Sequence, residues 1–243
     1  MNKRVEVVAL IFKSLDYLEL IYDELKSDKC VVDGWEVGVR IVANDATEPI
    51  LKRLKELDIP YSIYNDPKPD DYYLNRVYRC WNYAGESSEY ENICFVNSDM
   101  VFSEKWLDNL LKHHDGTNIP TSRLVESGKM RSGTHGVSHN CGRHPKHIHR
   151  DVWNQVVNQL STDEVHEGGL FMPCILEKSR FLESGKYPEG NIYKDGIGTL
   201  HPHGTIQSGD DWYFKKLENE YGMKHITIFD SLVYHIQEGE KDS

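Results

Sequence analysis

No apolar run in this sequence approaches the roughly 20 residues that a helix needs to cross a bilayer. The longest early run, within MNKRVEVVALIF, is interrupted by Glu6, is followed by Lys13 and offers no small-residue cleavage site, so it reads as a strand and not as a signal peptide. Cysteine is scarce: Cys30, Cys80, Cys94, Cys141 and Cys174 are odd in number, scattered and without a C-x-x-C pair. That usage fits reduced thiols in a cytoplasmic protein better than a disulfide framework. Positive charge is also short, with 28 Lys and Arg against 39 Asp and Glu and a net charge of −11. A broad basic surface for nucleic acid is therefore not the default, although a local basic groove, and with it a nucleic-acid acceptor, stays open. No Pro/Gly/Ser-rich linker, internal repeat or low-complexity tract divides the chain, and its 243 residues suffice for one domain with a sizeable core.

What is there alternates. Val5–Phe12 is dense in Val, Leu and Ile, as a strand buried on both faces would be. SLDYLELIYDELK then places Leu15, Leu18, Ile21, Tyr22 and Leu25 at helical spacing behind Ser14 as a candidate N-cap. Trp35–Ala43 reads as a second strand and runs into a helix capped by Asp45 or Thr47, with Pro49 in its first turn. PYSIYN is a short third strand, YYLNRVYRCWNYA a helix and NICFVN a fourth strand. Ser103 is then expected to cap a helix that buries Trp106, Leu107, Leu110 and Leu111. This alternation predicts an α/β fold with a mostly parallel sheet and helices on its faces. The second half is less regular: a His- and Gly-rich stretch over 131–150, a short helix in DVWNQVVNQL, a strand at Leu170–Leu176, a helix in DDWYFKKLENEYG closed by Gly222, and a last strand ending at His235.

In open α/β sheets, ligands bind outside the carboxyl ends of the strands. Three such ends are polar here: Lys13-Ser14, Asn44-Asp45 and Asn97-Ser98-Asp99. In an extended NSD, Asn97 and Asp99 fall on the same side and can face one ligand, an arrangement suited to Mg2+ or Mn2+ held beside substrate phosphates. Asp99 could equally be a turn former. Asp210-Asp211 stands at a helix start, where the helix dipole already favours a carboxylate. One acid would satisfy the helix, which leaves a second to accept a proton. His235, at a strand end, could complete a metal site or simply be a satisfied core histidine. The cluster His135, His139, Cys141, His144, His147 and His149 invites a zinc reading, but it lacks paired cysteines and an H-E-x-x-H helix, which leaves a substrate-covering loop as the alternative.

Taken together and in this order, the segments resemble the family 2 type of GT-A glycosyltransferases, over nearly the whole chain. VVALIFKSLDYLELIYDEL resembles that family's opening strand and helix, with Phe12-Lys13-Ser14 in place of its usual Pro-x-Tyr-Asn. VANDATEPI looks like the strand end that meets the nucleotide, and CFVNSDMVFSEKWLDNLL is similar to the DxD segment, with Asn97 where the first Asp would stand. GGLFMPCILEKSRFLESGKYPEGN and NCGRHPKHI resemble acceptor-side segments, GDDWYFKKLENEYGMK looks like the family's Glu-Asp pair and following helix, and SLVYH resembles the late strand whose His often joins the metal site. The resemblance implies a GT-A, Rossmann-like fold in one domain, with a nucleotide-sugar-binding half at 1–115 and an acceptor-binding half at 116–243. It implies a nucleoside-diphosphate sugar as donor and a glycan or another hydroxyl as acceptor. Phe12, Ser14, Asn44, Asp45, Asn97, Ser98 and Asp99 would contact the donor, Asp99 and His235 would hold Mn2+ or Mg2+, Asp211 would act as general base with inversion, and Asp210 would orient the acceptor. Two rivals remain: a nucleotidyltransferase, whose Gly-rich basic loop FKSLDY lacks, and a non-catalytic nucleotide-sugar- or glycan-binding module of the same fold, for which Asn97 speaks.

Overall fold

The computed structural model describes residues 3–68, 72–194, 196–197 and 205–242. Its first half follows the expected alternation: β1 (Arg4–Ile11), α1 (Leu15–Lys26), β2 (Glu36–Asn44), α2 (Glu48–Leu54), β3 (Tyr61–Tyr64), α3 (Tyr73–Ser87), β4 (Asn92–Val96), β5 (Met100–Phe102) and α4 (Trp106–Lys112). β1 is buried from Val5 to Ile11. Even Glu6, the interruption in its apolar run, is buried, because Arg40 on β2 donates to both of its carboxylate oxygens at 2.9 Å. Arg40 also donates to the Ala84 carbonyl and to the Ser62 and Ser87 hydroxyls, so the pair is satisfied on all sides. Thr47 takes the N-cap of α2, and Lys105, two residues beyond the expected Ser103, takes that of α4.

The second half continues with β6 (Asn118–Glu126), β7 (Val137–Ser138), α5 (Arg150–Leu160), β8 (Val165–Glu167), β9 (Cys174–Glu177), α6 (Lys178–Glu183), β10 (Ile192–Tyr193), β11 (Gly196–Ile197), β12 (Thr205–Gln207), α7 (Gly209–Tyr221) and β13 (Lys224–His235). Gly222 closes α7 in the left-handed conformation, as expected of a C′ glycine. β6 escapes the pattern rules because Pro120 demotes its run, yet Ile119, Pro120 and Thr121 are all buried there. The expected strand at Leu170–Leu176 starts only at Cys174.

The main sheet runs β3-β2-β1-β4-β9-β6-β13-β5, with β7 on β6 and β8 on β13. β1, β2, β3 and β4 are mutually parallel, as are β6 and β13; β9 is antiparallel to both β4 and β6 and joins the two parallel blocks. Helices flank the sheet: α3 packs on β1 and β2, α4 on β6 and β13, and α5 and α7 on β13. Strands β10, β11 and β12 form a small separate sheet. All five cysteines are unpaired and buried. Among the described residues no helix is long and apolar enough to cross a membrane.

Candidate functional site

The parallel register of β1, β2 and β4 aligns their carboxyl ends. Ile11 pairs with Ala43 and Ala9 with Val96, so the segments starting at Phe12, Asn44 and Asn97 leave along one edge. A cleft of about 660 Å3 opens there, lined among others by Phe12, Asn44, Asn97, Ser98, Asp99 and His235. The Arg76 guanidinium from α3 lies over the Phe12 ring at 4.8 Å and forms part of the same wall.

The turn at Asn97-Ser98-Asp99 does not lead β5 back beside β4. Instead β5 crosses to the far end of the sheet and pairs antiparallel with the end of β13, His235 opposite Met100. That crossing brings Asp99 Oδ2 to 3.2 Å from His235 Nε2, and the Ile236 N–H donates to the Asp99 carbonyl at 3.0 Å. On the other side of the ring, Nδ1 of His235 lies 3.2 Å from Glu126 Oε1, its register partner on β6. Glu126 is itself held by Ser132 Oγ at 2.5 Å and Gln237 Nε2 at 3.2 Å. Burial works against the charge of His235, but the Asp99 and Glu126 carboxylates outweigh it and raise the imidazole to about 10. Burial likewise opposes the charge of Asp99, and His235 with two backbone N–H groups holds that carboxyl below its ordinary range.

These groups suit a divalent cation in part. A carboxylate oxygen and an imidazole nitrogen face each other, and Glu126 fixes the ring from behind, as second-layer carboxylates do for metal-bound histidines. Among the described residues no cluster of three or more His, Cys, Asp or Glu side chains is disposed to hold a metal. A bound ion would have to replace the proton that His235 shares with Asp99, and would take its remaining ligands from a diphosphate and water.

Asp210 also lines the cleft, from the start of α7. Its N–H donates to the Tyr78 hydroxyl at 3.2 Å, and the preceding Gly209 N–H donates to Asn191 Oδ1 at 3.0 Å. The helix start is pressed so closely on Tyr78 that a Cβ at Gly209 would lie 2.8 Å from its ring. Burial pushes the Asp210 carboxyl up, and the neighbouring Asp211 adds to the rise. Asp211, the residue expected to act as base, is not part of the cleft wall: its Oδ2 accepts from Gln207 at 2.7 Å and Lys215 at 2.9 Å. Of the two acids at the helix start, Asp210 faces the cleft and Asp211 faces its own helix and Gln207.

Asp45 and Ser14 adjoin the cleft-lining Asn44 and Lys13 in sequence but are not part of the cleft wall. Asp45 has φ of 48° and accepts the Asp66 N–H on Oδ1 at 2.8 Å. Its Oδ2, like Asn44 Oδ1, is buried without a hydrogen-bond partner among the described residues. Ser14 caps α1 through its backbone, with no side-chain bond. The His-rich stretch is tied to the sheet instead of gathered on a common point: Tyr234 Oη accepts from the Cys141 N–H and donates to the Gly142 carbonyl, His144 lies 3.6 Å from Asp16, and the His135 ring lies tilted 5.3 Å from that of His166. Sequence reasoning missed Glu126, Arg76 and Tyr78. Glu126 obeys the same rule that singled out Asp99, an acid at a strand end, but its strand was hidden by Pro120.

No protein-family model and no curated protein matches the chain. Among solved structures it is similar to TarS of S. aureus, with a TM-score of 0.57 at 15% identity over 96% of this chain and 36% of that one. A structure of S. aureus TarS 1–349 gives 0.55 at 12% identity, covering 96% and 60%. GalNAc-T7, crystallised with UDP, GalNAc and Mn2+, gives 0.59 at 11% identity, covering 96% and 44%. The chain spans between about a third and three fifths of the length of these structures. At such identities the likeness is one of architecture, and that architecture is the GT-A fold expected from the sequence.

Proposed function

We propose that the chain is a glycosyltransferase that moves a sugar from a nucleoside-diphosphate sugar to an acceptor hydroxyl, with inversion and with the help of a divalent cation. The observation that carries this reading is the meeting of Asp99 and His235, 3.2 Å apart, at the carboxyl edge of a GT-A sheet, in a cleft that Asp210 also lines. The presence of UDP, GalNAc and Mn2+ in the GalNAc-T7 structure supports it. Residues 1–115 supply most of the donor wall, and 116–243 supply the acceptor side together with His235 and Asp210.

Phe12, Asn44, Asp45, Asn97 and Ser98 bind the nucleotide from the ends of β1, β2 and β4. Asp99 and His235 would hold Mn2+ or Mg2+, which when bound would supply positive charge against the leaving diphosphate. Asp210 takes the proton of the acceptor hydroxyl as its oxygen attacks the anomeric carbon; the bond to the diphosphate breaks on the opposite face, and the nucleoside diphosphate leaves with the electron pair. A carboxyl raised by burial binds that proton more readily than an exposed one. Asp211 fixes the helix start through Lys215 and Gln207.

The test is turnover of nucleoside-diphosphate sugars with Mn2+, read as donor hydrolysis or transfer, in wild type, Asp210→Asn and Asp211→Asn. Asp210→Asn should lower kcat by about 10²–10⁴-fold and leave nucleoside-diphosphate affinity nearly unchanged, while Asp211→Asn loses less. The reverse order returns the base to Asp211. Binding of donor without turnover under any condition favours the second reading, a binding module, which the amide at Asn97 supports by removing one charge from the cation site.

A further inference from the structure

The segment that follows β13 turns back into the cleft. Gln237, almost fully buried, anchors it: Oε1 accepts the Met130 N–H at 3.0 Å, and Nε2 donates to the Met130 carbonyl and to Glu126. Gln237, Glu238 and Gly239 then hold φ of 67°, 63° and 52°. Left-handed backbone resists side chains other than glycine's, so two of the three residues are held there by their surroundings. The turn passes against Asp99 and delivers Glu240 to the opposite wall. There one carboxylate oxygen accepts the Phe12 N–H at 2.9 Å, and the other accepts the Lys13 N–H at 2.5 Å and the Ser14 N–H at 2.6 Å. Three successive N–H groups leading into a helix form an anion-binding concavity, and an acid 226–228 residues away in sequence fills it.

We propose that Glu240 is a built-in competitor for the donor: its carboxylate takes the three N–H groups that an anionic oxygen of an entering nucleoside diphosphate would use, and the 236–242 segment has to swing out before that ligand seats. This rests on the reading of the cleft as a nucleoside-diphosphate site. The geometry supports it: Phe12, Lys13, Asp99, His235, Gly239 and Glu240 line one and the same cleft, so an occupant held at Asp99 and His235 meets Glu240.

The experiment uses the full chain and UDP, GDP and ADP with Mn2+ as probes, with affinity read by calorimetry and amide deuterium exchange read by mass spectrometry. Glu240→Ala should bind the preferred nucleotide at least fivefold more tightly than wild type. In wild type, saturating nucleotide should speed exchange over 236–242 while the amides of 12–14 stay slow; this readout needs no variant. Equal affinities within twofold, or a 236–242 segment that stays protected while nucleotide binds, overturn the competitor and leave Glu240 a cap of α1, with the proposed function intact. Binding of none of the nucleotides to either protein overturns the function and the competitor together.

Discussion

His114 and His225 show what burial does to an imidazole with no carboxylate bonded to it. Burial lowers both to about 4; Asp115 opposes the fall at His114, and the Leu170 carbonyl opposes it at His225. The folded value lies below the ordinary 6.5, so between about 6.5 and 4 the unfolded chain binds more protons than the folded one. Stability is therefore present above 6.5 and drains as pH falls, at up to about 1.4 kcal/mol per pH unit for each histidine. Urea unfolding at pH 7 and pH 5.5, where ordinary carboxylates are silent, should show the loss, and His225→Asn should flatten it. His235, with two acids against its ring, is the opposite case. Neither the shifts nor their signs are readable from single letters, since all three residues are the same in sequence and differ only in their neighbours.

At the level of elements, legibility followed length. α1, α3, α5 and α7 run 11 to 15 residues, long enough for a 3.6-residue period to declare itself. β5, β8 and β12 have three residues each, too few for any period. β5 nonetheless decides the site, because it draws Asp99 across to β13. Glu24 on α1 secures it: the buried carboxylate accepts the Phe102 N–H at 2.8 Å and pairs with Lys29 and Arg150. Glu24→Ala should destabilise the fold by about 1–3 kcal/mol by leaving that N–H unpaired. Through Asp99 it should also raise the Mn2+ concentration needed for nucleotide binding. A variant of wild-type stability and wild-type Mn2+ dependence would remove Glu24 from this role.

Across the molecule, β9 joins two parallel blocks, and the Glu6–Arg40 pair sits within the first of them. Removing one partner strands a buried charge. Arg40→Ala should therefore cost about 3–5 kcal/mol, visible as a lower denaturant midpoint, while replacing both residues with apolar ones of similar volume should cost much less. A single Arg40→Ala as stable as wild type would show that Glu6 is relieved by some other group.

The sequence by itself determined the α/β class, the polar ends of the first strands and the candidacy of Asp99, Asp210, Asp211 and His235. All of these rest on local properties, periodicity and the chemistry of a residue at the end of an element. Only the tertiary structure decided that β5 leaves β4 for β13, that Glu126 stands behind His235 from 109 residues away, that Asp210 and not Asp211 lines the cleft, and that Glu240 returns to the start of α1. Those outcomes depend on which strands pair across the sheet and on the phase at which a helix begins. Both are set by the packing of the whole chain, which leaves no mark in a short window of residues.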